Sequence, residues 1–408
     1  MIAAPSYIRF LSKNWRLLSF GLLVAMLSGF GQTFFIGLFN SQLREISGLG
    51  QGELGLVYGG ATLVSAALLT WLGALFDRVN PRLFLSATML VLILGCLLLG
   101  TAAGILTLFL ALFILRVSGQ GLMVHISLTT MARRFDQSRG KAVSIAAMGM
   151  PLAEALFPAV AVIALVSLEW HQIWLSGGLI LLLLLPLILW LLGGRYQPVS
   201  AQESGQTSTT YNASRRDVLR DWRFVLLIPA ALSAPFVVTT VFFYQIPIVE
   251  AKGWGNELVA SGLAMYALGH VLGLLSAGSL VDRFMARRVF VPALVPLCAS
   301  MLVLTLFDSH WAAMLWPAIL GVGVGLNTPA MTSLLAELYG LVHLGAIRAM
   351  LQAMVVFSTA VGPPLFGSLL DRGIEAETLV AAIGVSVLVA MILAQIALSV
   401  KAEKLGSE

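Results

Sequence analysis

Runs of about twenty apolar residues recur along this chain, and they constrain it more than any motif does. In hydrocarbon every backbone N–H and C=O must be satisfied within its own segment, so such a run folds as a helix spanning about 30 Å of bilayer. The runs cover residues 17–39, 54–75, 83–99, 106–129, 142–166, 173–192, 224–244, 258–280, 289–306, 312–335, 349–370 and 379–400. Composition points the same way. With 59% apolar and 11% charged residues and a mean hydropathy of +0.95, too few charges remain to coat a water-soluble globule. The alternation of a membrane β-barrel is absent, and the unbroken leucines of 181–185 have no polar-in face.

A repeat divides the chain. Gly73-Ala-Leu-Phe-Asp77-Arg78 returns as Gly278-Ser-Leu-Val-Asp282-Arg283, 205 positions on in a chain of 408. Gly140 and Gly345, and Pro158 and Pro363, repeat at the same offset and are scaffold candidates: a helix start and a helix bend. The longest break between runs is rich in Ser, Thr, Gln and Gly, with five arginines in or beside it. The expected fold is an all-α membrane protein of about twelve transmembrane helices in two pseudo-symmetric six-helix bundles, 1–193 and 223–408, joined by a linker at 194–222.

Charge sets the expected orientation. Of 24 Lys and Arg, 20 fall in the N-terminus, the loops after even-numbered spans and the C-terminal tail; Arg44, Lys252 and Arg372 lie on the other side, and Arg116 lies within a span. Cationic loops stay cytoplasmic, so both termini and the linker are expected inside, in a bacterial inner membrane. The same scatter of basic residues argues against nucleic acid as a partner, despite a net charge of +5. Arg9, Lys13 and Arg16 precede a run longer than a signal-peptide core, which reads as a retained first helix. Trp15, Trp170, Trp222, Trp254 and Trp311 fall at span ends, where an aromatic belt forms. Cys96 and Cys298 sit inside apolar runs as buried thiols, so no disulfide framework or metal site is expected.

These features resemble the major facilitator superfamily of secondary transporters. The resemblance rests on the twice-present Gly-x-Leu-x-Asp-Arg after spans two and eight, on Arg139-Gly140-Lys141-Ala142 before span five and its echo Gly345-Ala-Ile-Arg348 before span eleven, and on Arg116 with Gln120-Gly121 in span four. That last match carries one more residue than the family's Arg-x-x-Gln-Gly. Residues 34–38, the Arg-Gly-Lys-Ala turn and Gly362-Pro363-Pro364 with Gly367 and Asp371 look closest to the monocarboxylate and oxalate/formate branch. Two features depart from that branch: spans eight and eleven hold His270 but no mid-span Lys or Arg, and span five reads Gly149-Met-Pro151 in place of adjacent Gly-Pro. The resemblance implies alternating access, with substrate held near the midplane while the halves rock.

Features present in both halves serve the shared scaffold, so polar residues present in one half are the better substrate candidates. Asp77 and Asp282 close helices at their C-termini, where a negative charge calls for a positive partner. Gly73, Asp77, Arg78, Gly278, Asp282, Arg283, Arg139 and Arg348 are therefore expected to form a conformational latch on the cytoplasmic side. Arg116 and Glu154 both fall roughly 15–18 Å into their spans, where an unpaired charge costs at least about 2.5–3.5 kcal/mol, so they should face the bundle interior or each other. Three readings stand open. Glu154 carries a coupling proton under the control of Arg116; or Arg116 binds an anionic substrate with Glu154 as resting counter-ion; or the two form a fixed ion pair. His270, with Tyr266 four residues before it, is a second proton site or substrate donor, while His125 reads as structural. Gln32, Gln120, Thr240, Tyr244 and Asn327 add polar groups in spans one, four, seven and ten, which line the cavity in the family this chain resembles.

No phosphate-binding Gly-rich loop, His-Glu-x-x-His or metal-spaced cysteine pair is present. The expected protein is a monomeric secondary transporter, without enzymatic activity or cofactor, moving a small organic anion such as a monocarboxylate with protons. Proton-driven efflux of lipophilic compounds, suited to a loose site in a chain with 15 Met, is the alternative within transport. A non-transporting receptor or scaffold is the alternative outside it.

Overall fold

The computed structural model describes residues 4–76, 78–135, 138–193, 215–340 and 344–399, with the side chains of 4–8, Thr70, Ala74, Arg139, Arg215, Asn256, Gly345 and Ala346 also outside the description. The chain divides into two compact units, Met1–Gly205 and Gln206–Glu408. Every regular element among the described residues is helical. Of the expected linker, 194–214 lie outside the described residues, and Arg215–Arg220 forms a short helix.

The first unit contains α1, a span broken into Arg9–Gly31 and Thr33–Ser47 at 45°, then α2 (Gln51–Phe76), α3 (Pro81–Gly100), α4 (Ile105–Arg134), α5 (Gly140–Ala164) and α6 (Trp170–Leu192). The second contains α7 (Trp222–Phe243), α8 (Asn256–Phe284), α9 (Pro292–Leu306), α10 (His310–Tyr339), α11 (Leu344–Asp371) and α12 (Ala376–Ser399). Ten of these are long and apolar enough to cross a bilayer and the broken α1 makes an eleventh. Only α9 is short, because Pro292 and Pro296 withhold donors where the ninth run would begin its helix. The outward faces carry large apolar side chains such as Trp71, Leu183, Leu275 and Val385, as lipid contact requires.

Local chemistry sets the ends. Asn80 accepts from Arg82 N with Pro81 at the first helical position of α3, and Glu169 with Gln172 closes a capping box on α6. Asp221 caps α7, pairs with Arg223 Nε at 3.0 Å and accepts from Tyr339 Oη at 3.1 Å. The turn after α8 is built differently from its counterpart before α3. Met285 takes φ 69° and ψ 146°, a conformation that costs a non-glycine residue energy, and Glu337 of α10 accepts from Ala286 N at 2.7 Å and Arg287 N at 3.1 Å to hold it.

Two ties repeat with the chain's own period. Arg82 donates to Gly193 O at 2.6 Å in the first unit, and Arg287 donates to Leu398 O through Nη2 and through Nε at 2.9 Å in the second. Both donors and both acceptors are separated by 205 positions (82 to 287, 193 to 398), so each half clamps the C-terminal end of its last helix to its second-to-third connection, at the first turn of α3 in one unit and in the short helix Ala286–Val289 before α9 in the other. On the opposite face of the second unit, buried Lys252 ties the α7–α8 connection to the end of α9, the loop after it and the first turn of α12. Its Nζ lies 2.6 Å from Asp308 Oδ1, 2.9 Å from Glu377 Oε1 and 3.2 Å from Thr305 O.

Packing in the second unit is densest between α8 and α10, where glycines let the backbones meet. A Cβ on Gly321 or Gly325 would collide with the carbonyls of Tyr266 or His270. Without a hydrophobic drive between helices in lipid, such small-residue seams are what hold a bundle together.

Candidate functional site

The site in the first unit is made where two helices stop being regular. α1 passes from a 3₁₀ turn at Ser28–Gly31 to an extended Gln32, then restarts at Thr33. α4 opens into a π-helical stretch at Arg116–Met123, midway along its length. These two irregular segments touch through glycine. A methyl on Gly31 would overlap Leu115 O and sit 2.6 Å from Gln120 N, and one on Gly119 would sit 2.7 Å from Gly31 Cα. Irregular backbone at this depth has to be covered by protein or line a cavity, and π turns concentrate at functional positions.

The π turn accounts for the extra residue in Arg116-Val-Ser-Gly-Gln120-Gly121. One inserted residue in an α-helix would rotate everything after it by about 100°. Wider i→i+5 pairing absorbs it, so Gln120-Gly121 keeps its face and Gly119 reaches Gly31.

Arg116 is 1% exposed. Its Nη1 donates to Gly31 O at 3.4 Å and to Thr33 Oγ1 at 3.3 Å, both long bonds. The Tyr58 ring of α2 lies under the guanidinium at 5.1 Å, and Tyr58 Oη and Thr33 Oγ1 share a hydrogen bond of 2.6 Å. Among the described residues, Nε and Nη2 have no hydrogen-bond partner. A guanidinium offers five N–H donors, and the idle Nε–Nη2 edge is one that a carboxylate grips with two parallel bonds.

Glu154 is buried, at 5% exposure, but is not among the partners of Arg116. The two expected to face the interior or each other do the first; the fixed pair is not formed. The cause is the α1–α4 contact, which sets the guanidinium against α1 and α2 rather than α5. Gln32, at the break, and Gln120, in the π turn, come to the same place and are half-buried. Beside the break, Phe35 packs in an aromatic cluster with Phe30, Phe157 and Trp174 at 5.1–5.6 Å.

In the second unit the candidates lie apart. Thr240 is buried against Gly362, and Tyr244, at the C-cap of α7, donates to Pro363 O at 2.8 Å while its ring stacks on Phe366. Tyr266 and His270 do meet, with ring centroids 5.7 Å apart; Tyr266 is buried and His270 half-buried. Asn327 is 4% exposed and, among the described residues, its Nδ2 lacks a partner.

Of the expected latch, Asp77 and the Arg139 side chain lie outside the described residues. Arg78 and Arg348 are exposed, Gly73 is half-buried and Gly278 faces open space. Arg283 lies over the Phe284 ring at 5.1 Å. Asp282 is exposed and, among the described residues, lacks the positive partner expected for it; the helix N-terminus near it is taken by Glu337. Tyr58 and Thr33 were not anticipated. Their signal was a tyrosine and a threonine inside apolar runs, which many packing residues share.

A family model described as Major Facilitator Superfamily matches residues 21–268 and 246–407. The chain belongs to that superfamily. Its fold is similar to a solved bacterial homolog of the human lysosomal transporter Spinster in an inward-facing, occupied conformation, at 16% identity and TM-score 0.67 over 94% of each chain. The nucleoside transporter NupG is similar at 14% identity and TM-score 0.69, over 96% of this chain and 99% of that one. No curated relative matches the sequence. The protein is a multi-pass integral membrane protein of a transporter superfamily, and the likenesses to solved structures carry the fold rather than a substrate.

Proposed function

We propose that the protein is a secondary active transporter that moves a small organic anion by alternating access, driven by protons, in a bacterial inner membrane with both termini cytoplasmic. The observation that carries this reading is the idle Nε–Nη2 edge of a guanidinium 1% exposed at the α1–α4 junction. A permanent charge is retained there at a cost of several kcal/mol and with three donors unspent. An incoming carboxylate satisfies both needs, and Gln32 and Gln120 stand where they can read the rest of the molecule. Glu154, buried on a separate helix, is the coupling group: protonation removes its charge before the halves rock.

Counterflow and gradient-driven uptake of radiolabelled monocarboxylates in proteoliposomes test this. Arg116→Gln abolishes saturable uptake, and Arg116→Lys raises KM because an ammonium cannot offer the planar fork. Glu154→Gln leaves counterflow intact but stops accumulation against a gradient. Wild-type KM in Arg116→Gln sinks the anion assignment, and proton-driven accumulation by Glu154→Gln sinks the coupling assignment.

A further inference from the structure

The C-terminal end of α6 is gripped from two sides. Arg16 of α1 donates through Nη2 to Trp190 O at 2.7 Å, and Arg82 of α3 donates to Gly193 O at 2.6 Å. Gly193 N itself donates to Trp190 O at 3.1 Å, so both acceptors belong to the last turn of the helix. The final carbonyls of a helix lack partners within it and carry its negative dipole end, which draws cations. Both arginines are nevertheless exposed, and among the described residues neither has an acidic partner. Each spends Nη2 on the helix end and keeps its other donors for water or a ligand.

Around these two side chains the surface is cationic toward one end of the span and apolar along it. Arg9 and Lys13, both exposed, stand on the Arg16 face of α1 at the spacing of a helical stripe. The Arg16 guanidinium lies over the Trp190 ring at 4.2 Å, and the Trp15 ring is 6.0 Å from that of Trp190. Each tryptophan is 51% exposed at a helix end, where a span meets water. From Trp190 the exposed side chains of Leu187, Leu183 and Ile180 continue along one face of α6 for about 15 Å. A free phosphate has no use for such a stripe; a lipid chain does.

The 205-residue offset that repeats the Arg82 tie does not repeat the rest. Arg16 and Trp190 correspond to Asp221 and Gln395. Asp221 is buried, caps α7 and pairs with Arg223. The second unit thus secures the end of its last helix through Arg287 without an arginine at the position of Arg16, so the clamp does not require one.

We infer that this corner of the first unit is a binding site for one anionic phospholipid. Its phosphodiester accepts from the unspent donors of Arg16 and Arg82, and an acyl chain lies along Leu187, Leu183 and Ile180.

Native mass spectrometry of the full chain, titrated in detergent with phosphatidylglycerol or phosphatidylcholine of identical chains, tests it. Wild type binds one phosphatidylglycerol about thirtyfold more tightly than phosphatidylcholine. Arg16→Gln, which leaves the Arg82 clamp in place, lowers that ratio about fivefold, and Arg16→Gln combined with Arg82→Gln removes it. Trp15→Glu sets a carboxylate beside the site and lowers the ratio with both arginines intact. Because the ratio compares two lipids on one preparation, loss of folded protein does not imitate the effect. An undiminished ratio in the double variant and in Trp15→Glu overturns the site. An equal fall in Arg288→Gln, an exposed arginine of the second unit, overturns it in favour of general charge attraction. Displacement of phosphatidylglycerol by equimolar glycerol 1-phosphate overturns the lipid assignment in favour of a soluble phosphate.

Discussion

Gly119→Ala should cost the protein its Arg116 geometry without touching Arg116. A methyl there lies 2.7 Å from Gly31 Cα, 2.7 Å from Gly31 N and 3.2 Å from Ser28 O. Carbon atoms attract at about 3.5–4.0 Å, so the α1 break and the α4 π turn must part by about 1 Å. Arg116 Nη1 already reaches Gly31 O at 3.4 Å and Thr33 Oγ1 at 3.3 Å, so the same movement breaks both bonds. Overpacking costs about 1–3 kcal/mol, and losing bonds from a buried charge adds about 1.5–3 kcal/mol. Thermal unfolding in detergent should fall by several degrees, and carboxylate uptake should show a raised KM. Gly178→Ala is the control, since a methyl there meets Leu97 Cδ2 at 3.4 Å, Cys96 Cβ at 3.5 Å and Ile93 O at 3.6 Å, all ordinary contacts, within the same unit. If Gly119→Ala keeps both the wild-type unfolding temperature and KM, the glycine contact is not what places the guanidinium.

Lys252→Met should destabilise the second unit by about 2 kcal/mol, because it removes the ammonium shared by Asp308 and Glu377; calorimetry of unfolding reads it. Burial lowers the Lys252 pKa but the bonds to Asp308 and Glu377 outweigh it, leaving the balance above the ordinary 10.5. A raised lysine stabilises below its unfolded pKa and ceases to as pH climbs through the folded value, so this contribution should be flat at neutral pH and fade only in strong alkali, a fading that Lys252→Met lacks. Arg82→Ala and Arg287→Ala should each free the end of their own unit's last helix, seen as faster amide exchange near Gly193 or near Leu398 and not at the other. Loosening of both ends by either substitution would refute independent clamps.

How much of this was legible follows from what each feature depends on. The spans were readable because hydrophobic length alone decides them, and the duplicated turn located the two halves. Arg116 and Glu154 stood out because a charge within an apolar run needs a reason. The break in α1 was not readable: Gly29, Gly31 and Gln32 sit within a continuous apolar run, and each glycine weakens a helix by only about 1 kcal/mol. What breaks the helix is the approach of the Leu115 carbonyl and the Gln120 amide, which belong to another helix. The missing Arg116–Glu154 pair has the same origin, as does the role of Tyr58.

The 205-residue offset sorts these features by whether they survive duplication. The arginine clamps survive it to the residue, donor and acceptor alike, so they belong to what both halves need in order to fold. Position 116 does not: its counterpart is Gly321, which packs directly on the Tyr266 carbonyl in an unbroken α10. Where the second half closes its helix seam with a glycine, the first half opens a π turn and buries a cation with unspent donors. A stretch that needs an extra residue, a broken neighbouring helix and a desolvated charge is more costly than the glycine seam that serves the same place in the fold. Scaffold requirements alone would have kept the cheaper solution in both halves, and this asymmetry is what the anion-binding role proposed for Arg116 requires.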